Sequence, residues 1–348
     1  MSSALLEIQD LTVTYSRGFR RPPFTAVSRV SMSVAAGQTV AIVGESGSGK
    51  STIASAVLGL RAAAGGSIRL HGTEILTAPA RQRRELRASL QAVFQDPFSS
   101  LDPSKTIGAT VAEPLRVART GLSAAEIRNR AERMLDRVGI GPGAMSRYPA
   151  EFSGGQRQRI AIARALMVEP EIIVCDEAVS ALDVSVQAQV LNLLEEIQRD
   201  AGTSYIFISH NIAVVRHVSD RVVVLYRGRV MEQGAAADVC ERPAHPYTRA
   251  LLASVPVPDV HAQQARRAAR SEASTQSGFA PRGDTGCPFA PRCPFAKENC
   301  VTATPPLTEI GGGRAVACTR IGQIPPPDDA GIFSIGRPAA TEREQGRP

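Results

Sequence analysis

A glycine-rich segment near the start of this chain constrains its fold more than any other feature. The pattern G-x-x-x-x-G-K-[ST] is matched throughout by Gly44-Glu45-Ser46-Gly47-Ser48-Gly49-Lys50-Ser51, between an apolar strand-like run and a helix-forming stretch. Glycines let the backbone curl so that successive N–H groups point inward, and a helix N-terminus adds partial positive charge. We therefore predict a loop that binds nucleotide phosphates. In it, Lys50 reaches the β- and γ-phosphates and the Ser51 hydroxyl ligates Mg²⁺.

Two adjacent carboxylates follow a second apolar run. Ile172–Cys175 has the pattern of a buried strand, and Asp176 and Glu177 come directly after it. The carboxyl ends of strands are where α/β sheets bind their ligands. Asp176 is then placed to hold Mg²⁺ or its waters, and Glu177 to orient and polarise a water for attack on the γ-phosphate. The alternative is a solvent-exposed acidic turn, which the nearby phosphate loop disfavours.

The distribution of apolar residues predicts an α/β fold. Residues 5–72 are expected to form short strands with one helix after Lys50, and residues from about 80 to 168 are mostly helical in pattern. Strands alternate with helices again from about 171 to 235, which indicates a parallel sheet flanked by helices. One helix in that stretch has an apolar face made by Val186, Val190, Leu193 or Leu194, and Ile197.

Composition narrows the class of protein. Hydrophobic residues make up 43% and charged residues 21%, which is typical of a globular chain. We find neither an apolar run of about 18 residues nor a secretory signal, so we expect a cytosolic protein. The net charge is +7, but aromatic residues are only 4% and tryptophan is absent. Because base-stacking platforms are scarce, we expect no nucleic-acid partner.

Further motifs follow in the order that is typical of one family. Together with the features above, they make the chain resemble ABC transporter ATPase subunits over about residues 5–320. Phe152 begins a segment similar to the family signature, which continues as Ser153, Gly154, Gly155 and Gln156. Four other residues match the Q-loop glutamine, the D-loop aspartate, the switch histidine and the aromatic that stacks on adenine, namely Gln95, Asp183, His210 and Tyr15. Found alone, any one of these motifs would more often be an ordinary turn, loop or surface feature. For Tyr15, a packing role is an equal alternative.

The resemblance implies a P-loop NTPase core with a parallel sheet flanked by helices, an antiparallel β subdomain and a helical subdomain at about 80–168. It implies catalytic roles for Glu177, His210 and Lys50. It implies Mg²⁺ ligation by Ser51, Gln95 and Asp176. ATP would be bound by Tyr15, Gly44, Glu45, Ser46, Gly47, Ser48, Gly49, Lys50, Ser51, Thr52 and Gln95. Ala178 stands where the family usually has proline, and we expect hydrolysis to be retained.

The same resemblance implies partners. The family binds each ATP between the phosphate loop of one subunit and the signature of another, and this chain has one of each. We therefore expect a second ABC ATPase subunit, in a heterodimer as is common in the peptide group. Two integral membrane permease subunits and an extracytoplasmic solute-binding protein complete the expected transporter. The chain would then lie at the cytoplasmic face of the cell membrane.

Three segments resemble the peptide, opine and nickel uptake group in particular: QDPFSSLDP, VCDEAVSALDVSVQAQVLNLL and HPYTRALLASVP (residues 245–256). Import of di- or oligopeptides is the expected function, and nickel or glutathione import is the alternative within the group. A soluble ABC protein acting on the ribosome or DNA is an alternative of another class. It is disfavoured because such proteins usually carry two cassettes or long coiled coils.

Four cysteines lie close together in the C-terminal part, with the spacing Cys287-x5-Cys293-x6-Cys300-x17-Cys318. Four thiolates suit either a [4Fe-4S] cluster or tetrahedral Zn²⁺. The resemblance favours the cluster, since one is known in some relatives; zinc, and free or disulfide-bonded thiols, remain alternatives. We expect an ATPase domain at 1–256, a linker at 257–285, the cysteine segment at 286–320 and a disordered tail at 321–348.

Overall fold

The computed structural model describes residues 4–18, 22–79, 88–96, 100–118, 121–254 and 285–325, together with Gln82 and Leu86. The chain divides into two compact units, Met1–Ala236 and Ala237–Pro348. The predicted linker at 257–285, apart from Thr285, and the predicted tail beyond residue 325 lie outside the described residues.

The first unit contains ten strands in its described residues. They are β1 (Ala4–Tyr15), β2 (Phe24–Ala35), β3 (Thr39–Val43), β4 (Gly65–Leu70), β5 (Thr73–Glu74), β6 (Leu90–Val93), β7 (Ile172–Asp176), β8 (Ser204–Ser209), β9 (Arg221–Tyr226) and β10 (Arg229–Ala235). The helices that begin in it are α1 (Lys50–Val57), α2 (Ile107–Ala118), α3 (Ala124–Arg137), α4 (Gly154–Leu166), α5 (Val184–Ala201), α6 (Ile212–Val218) and α7 (Ala236–Glu241). The stretch predicted as mostly helical therefore also contains a strand, β6.

An antiparallel sheet forms the N-terminal part of this unit, in the order β2-β1-β4-β5. Leu6, Ile8, Leu11 and Val13 of β1 are fully or almost fully buried, and they belong to one apolar cluster with residues of β3 and α1. Burial of this sheet face gives the strand sequences their apolar alternation. The sheet matches the antiparallel β subdomain that the family resemblance implies.

The larger sheet places several strand ends at one edge. Within the first unit its order is β10-β9-β3-β8-β7-β6, with β9, β3, β8, β7 and β6 parallel. In register, Val43 pairs with Ser209, Asp176 with Ile208, and Val93 with Cys175. Because the carboxyl ends of parallel strands meet at one edge, the segments after β3, β6, β7 and β8 emerge there together.

Helix α5 shows how the sequence specifies a helix of this unit. Of its predicted apolar face, Val190, Leu193, Leu194 and Ile197 are buried, whereas Val186 in the first turn is only half-buried. The helix begins after Asp183, whose side chain accepts a hydrogen bond from the backbone of the first turn, and it ends at Gly202 in a left-handed conformation.

The second unit contains α8 (Pro246–Ala253), α9 (Asn299–Thr302) and an antiparallel hairpin of β11 (Thr308–Gly311) and β12 (Arg314–Val316). A short 3₁₀ helix spans Ala290–Arg292. In this second unit the aromatic rings of Tyr247 and Phe289 pack together, with their centroids 5.3 Å apart. Among the residues the structure describes, no helix in either unit is long and apolar enough to cross a membrane.

Candidate functional site

The glycine-rich segment forms a tight loop between β3 and α1. A Cβ atom at Gly44 would lie 2.1 Å from the carbonyl oxygen of Leu225, so no other residue fits there without moving β9. At Gly49 the backbone adopts φ 106°, and a Cβ would lie 2.6 Å from the carbonyl oxygen of Ala26. Both positions need glycine because the loop runs directly against the neighbouring backbone.

Lys50 lies inside this loop. Its ammonium donates hydrogen bonds to the carbonyl oxygens of Gly44 at 2.9 Å and Glu45 at 3.0 Å, and the residue is 5% exposed. Burial lowers the pKa of Lys50, while the carboxylates of Glu177 and Asp176 act against that fall. The only cation inside the described part of the loop is therefore held by neutral carbonyls, which an anionic phosphate would outcompete.

Ser51 and Asp176 bring two oxygen donors together. The Ser51 hydroxyl donates to Asp176 Oδ1 at 3.1 Å, across the gap between the start of α1 and the end of β7. Burial raises the pKa of Asp176, and the hydrogen bond from Ser51 opposes the rise. A half-buried carboxylate beside a hydroxyl is a donor set that a hard divalent cation prefers.

Glu177 and His210 form the second pair at the same edge. His210 Nδ1 lies 3.3 Å from Glu177 Oε2, and the Glu177 side chain is 18% exposed against 57% for His210. The backbone of Glu177 has φ 49°, and its N–H donates to the Ile208 carbonyl of β8 at 3.0 Å. A left-handed backbone at a non-glycine residue is strained, and the hydrogen bond to β8 holds it there. Ala178, in place of the family's proline, is buried.

The remaining residues predicted near the nucleotide lie at the margins of this edge. Gln95 is exposed, two residues beyond the end of β6. The Tyr15 hydroxyl lies 3.2 Å from Thr52 Oγ1, and the Arg61 guanidinium sits 4.5 Å from the centroid of the Tyr15 ring. Arg61 thus covers one face of that ring, and Tyr15 also packs against the apolar cluster of the unit.

The signature segment begins helix α4. Ser153 caps it: its Oγ accepts from the Gln156 N–H at 3.4 Å, and the Gln156 side chain accepts from the Ser153 N–H at 3.0 Å. This reciprocal pair satisfies two N-terminal donors within the chain. The N–H of Gly154, in the first turn, has no intrahelical acceptor, and a Cβ there would meet nothing within 4 Å. The signature thus presents a polar helix N-terminus with open space beside it.

Asp183 and the signature glycine Gly155 both lie next to Val186, in the first turn of α5. Asp183 Oδ1 accepts from the Val186 N–H at 2.9 Å, which begins α5 and places Val186 in its first turn. A Cβ at Gly155 would lie 2.3 Å from Val186 Cγ1. The second signature glycine therefore serves packing within the chain, a role that the sequence pattern does not separate from phosphate contact.

We expect Gly155→Ala to lower the free energy of unfolding by about 1–3 kcal/mol, since overpacking against a stiff β-branched side chain displaces α4 from α5. Urea denaturation followed by circular dichroism measures it. Gly154→Ala is the matched control and should leave stability unchanged. In the double variant Gly155→Ala with Val186→Ala, the loss should be smaller than the sum of the single losses. Strict additivity would contradict the contact.

The four predicted cysteines line one cavity in the second unit, together with His245, Pro246 and Arg320. Burial raises the pKa of Cys287 to about 11 and of Cys293 to about 12. Backbone N–H groups act against this: those of Phe289 and Ala290 on Cys287, and that of Phe295 on Cys293. Within the described residues, no group of three or more His, Cys, Asp or Glu side chains is already arranged around a common metal position.

The residues that line this cavity beside the four cysteines were not predicted from the sequence as site residues, and His245 and Arg320 are the two with ionisable side chains. His245 belongs to the HPYT segment, which the sequence marked only as typical of a subgroup, and Arg320 lies two residues after the last cysteine. Only the fold of the second unit shows that both belong to the cysteine cavity.

The chain is similar to known proteins over most of its length. Residues 27–180 match the family model described as ABC transporter, and residues 231–300 match the model described as oligopeptide/dipeptide transporter, C-terminal region. The oligopeptide transport ATP-binding protein OppF of Salmonella typhimurium is 46% identical over 324 residues, covering 91% of this chain and 96% of the relative. OppF of Haemophilus influenzae is 45% identical, covering 91% and 97%.

Solved structures resemble the chain in fold. A dimeric post-hydrolysis state of the ATP-binding cassette MJ0796 bound to ADP and phosphate matches with a TM-score of 0.61 at 29% identity, covering 66% of this chain and 98% of that one. The structure of cbiO1 from Clostridium perfringens matches with a TM-score of 0.60 at 30% identity, covering 68% and 91%.

Proposed function

Because this chain belongs to the oligopeptide-transport ATP-binding proteins of the ABC transporter family, with the ABC ATPase fold predicted from its sequence, we propose that it hydrolyses ATP to power import of di- or oligopeptides. The observation that carries the proposal is the meeting of three polar groups at one sheet edge: Lys50 in its loop, Ser51 with Asp176, and Glu177 with His210.

The glycine-rich loop between β3 and α1 and the residues beside it bind ATP. The N–H groups of Glu45, Ser46, Gly47, Ser48, Gly49, Lys50, Ser51 and Thr52 receive the phosphates. Lys50 exchanges its carbonyl partners for the β- and γ-phosphate oxygens, a stronger charge-assisted bond. The adenine stacks on the ring of Tyr15, beside the Arg61 guanidinium.

The donor set at the end of β7 fits Mg²⁺, because the Ser51 hydroxyl and the half-buried Asp176 carboxylate already lie 3.1 Å apart. Ser51 and Asp176 would hold it, with Gln95 as a third ligand from the segment after β6. Mg²⁺ held by these residues would neutralise negative charge on the phosphates.

Hydrolysis needs a water aimed at the γ-phosphorus. The Glu177 carboxylate accepts a hydrogen bond from this water and polarises it. As the oxygen of the water bonds to phosphorus, the bond from phosphorus to the bridging oxygen of ADP breaks, and the proton of the water passes to Glu177 and from there to the released phosphate. His210 Nδ1 lies 3.3 Å from Glu177 Oε2 and, when that nitrogen carries a proton, would hold the carboxylate in its orientation. The products are ADP and phosphate, and the contribution of the protein is mainly positioning.

A single copy supplies only half of each site. The signature residues Ser153, Gly154, Gly155 and Gln156 complete the nucleotide site of a second ATPase subunit, whose own signature closes over this loop. The open N-terminus of α4 supports that role, since its N–H dipoles stabilise a γ-phosphate. Asp183 holds the start of α5 beside the same interface.

We further propose the surroundings of this subunit. It pairs with a different ATPase chain, contacts two permease subunits through the helical part at about 80–168, and works with an extracytoplasmic solute-binding protein. Its place is the cytoplasmic face of the cell membrane. The ATPase domain at 1–256 and the cysteine segment at 286–320 serve as its two functional parts. Nickel or glutathione is the alternative cargo.

The cysteine cavity supports a metal–thiolate centre. Four thiols line one space, and backbone N–H groups point at three of their sulfurs, as suits thiolate ligands. Cys287, Cys293, Cys300 and Cys318 would hold a [4Fe-4S] cluster, or Zn²⁺ as the alternative. Either would add stability to a segment poor in apolar residues, and its binding would displace thiol protons.

Reconstitution in vesicles tests the proposed function. The chain, its cognate ATPase partner and permeases are assembled with the binding protein, and labelled dipeptide, tetrapeptide, Ni²⁺ and glutathione are offered in turn. We expect ATP-dependent uptake of peptide, with peptide stimulating hydrolysis. Uptake of nickel or glutathione alone would replace the cargo, and uptake without ATP would overturn the proposal.

A further inference from the structure

Arg320 lines the cysteine cavity but is not one of the expected metal ligands. Its backbone N–H donates to Cys318 Sγ at 3.4 Å, and the residue lines the cavity with all four cysteines. Arg320 is therefore bound directly to one ligand loop through its backbone.

Its side chain reaches a second ligand loop. Arg320 Nη1 donates to the Phe295 carbonyl oxygen at 2.6 Å, and Nε lies 3.3 Å from Gln323 Oε1. The N–H of Phe295 in turn bonds the Cys293 thiol. One residue thus joins the Cys318 loop to the Cys293 loop, which lie 25 positions apart in sequence.

The charge of Arg320 suits what this cavity would hold. Four thiolates around a divalent core leave an excess of negative charge, which a fixed cation nearby stabilises. A second guanidinium, Arg249, is held in the same unit by the carbonyl oxygens of Pro243 at 3.0 Å and Pro325 at 2.6 Å. Burial raises the pKa of Cys318, while the N–H of Arg320 and the charges of Arg320 and Arg249 act in the opposite direction.

We propose that Arg320 is a positioning residue of the four-cysteine centre: it joins the Cys293 and Cys318 loops and compensates the negative charge of the bound metal–thiolate group. This inference rests on the metal centre proposed above. It goes beyond the ligand set, because it assigns the retention and the redox behaviour of the centre to a residue that is not a ligand.

The test compares the full chain with Arg320→Gln, Arg320→Lys and a matched control, Arg292→Gln. Arg292 lies in the same segment, but its guanidinium sits over the Phe289 ring at 5.6 Å and is not part of the cavity wall. Iron, acid-labile sulfide and zinc are measured after anaerobic purification, and the rate of metal loss to a chelator follows. For an iron–sulfur centre, the reduction potential is measured as well.

Arg320→Gln should lose metal about 10- to 100-fold faster than the wild type, as outer partners of metal ligands typically do. The rate of metal loss from Arg320→Lys should lie between those of the wild type and Arg320→Gln, because lysine keeps the positive charge but lacks the planar guanidinium. The potential of an iron–sulfur centre should shift negative in Arg320→Gln and recover in Arg320→Lys, which a purely structural role would not produce. Arg292→Gln should match the wild type.

Two outcomes distinguish failure of the metal-centre proposal from failure of the role proposed for Arg320. Wild-type protein that holds neither iron nor zinc overturns the metal centre itself. Loaded wild type with Arg320→Gln indistinguishable from Arg292→Gln overturns only the role of Arg320. If Arg320→Gln does not fold, Arg320→Lys decides: faster metal loss supports the role, and a wild-type rate and potential contradict it.

Discussion

Glu177→Gln is expected to lower kcat for ATP hydrolysis by about 10²- to 10⁴-fold, because the amide keeps the shape of the side chain but cannot accept the proton of the attacking water. The affinity for ATP should change little, since Lys50 and the loop remain. Release of phosphate by the assembled ATPase pair gives kcat, and titration with a fluorescent ATP analogue gives the affinity.

Glu171→Gln is the matched control for this change. Glu171 precedes the opposite end of the same strand, β7, where it pairs with His71 at 2.6 Å on the surface. Loss of an exposed pair costs about 0–1 kcal/mol and should leave hydrolysis intact. Hydrolysis undiminished by Glu177→Gln would contradict the role of Glu177, and equal loss in both variants would point to damage of β7.

Lys50→Ala should weaken ATP binding by about 10- to 100-fold, as loss of charge-assisted hydrogen bonds to phosphate predicts. Hydrolysis should fall by about 10³-fold or more, because negative charge on the transferring phosphate would lose its nearest side-chain cation. Calorimetric titration with ATP in the presence of Mg²⁺ measures the affinity, and phosphate release measures the rate.

Lys105→Ala removes the same side chain elsewhere. Lys105 pairs with Glu113 at 2.9 Å on an exposed surface, so its loss should affect neither affinity nor rate. ATP affinity of Lys50→Ala equal to that of Lys105→Ala would contradict the assignment of the loop as the phosphate site.

The main sheet edge was predictable from the sequence because parallel strands bring their carboxyl ends together. Apolar strand patterns before Gly44 and before Asp176 place the phosphate loop and the carboxylate pair at strand ends, and the register of β3, β8 and β7 brings those strand ends side by side. The buried face of α5 follows from its spacing for the same reason. The roles of these residues with ATP remain predictions.

Contacts between distant segments were not predictable, because no periodic pattern encodes them. The placing of Arg61 over Tyr15 depends on a loop whose path the sequence does not specify. The contact of Gly155 with Val186 depends on how α4 crosses α5. The cavity that unites His245, four cysteines and Arg320 depends on irregular backbone, where neither helix nor strand period applies.

The central claim is that this chain holds half of a nucleotide site that a second cassette completes. The most direct measurement is the mass, by light scattering after gel filtration, of Glu177→Gln mixed with its cognate ATPase subunit, with ATP and Mg²⁺ or with ADP. We predict the mass of a pair with ATP and of separate subunits with ADP. Separate subunits under both conditions, while ATP stays bound, would contradict the claim.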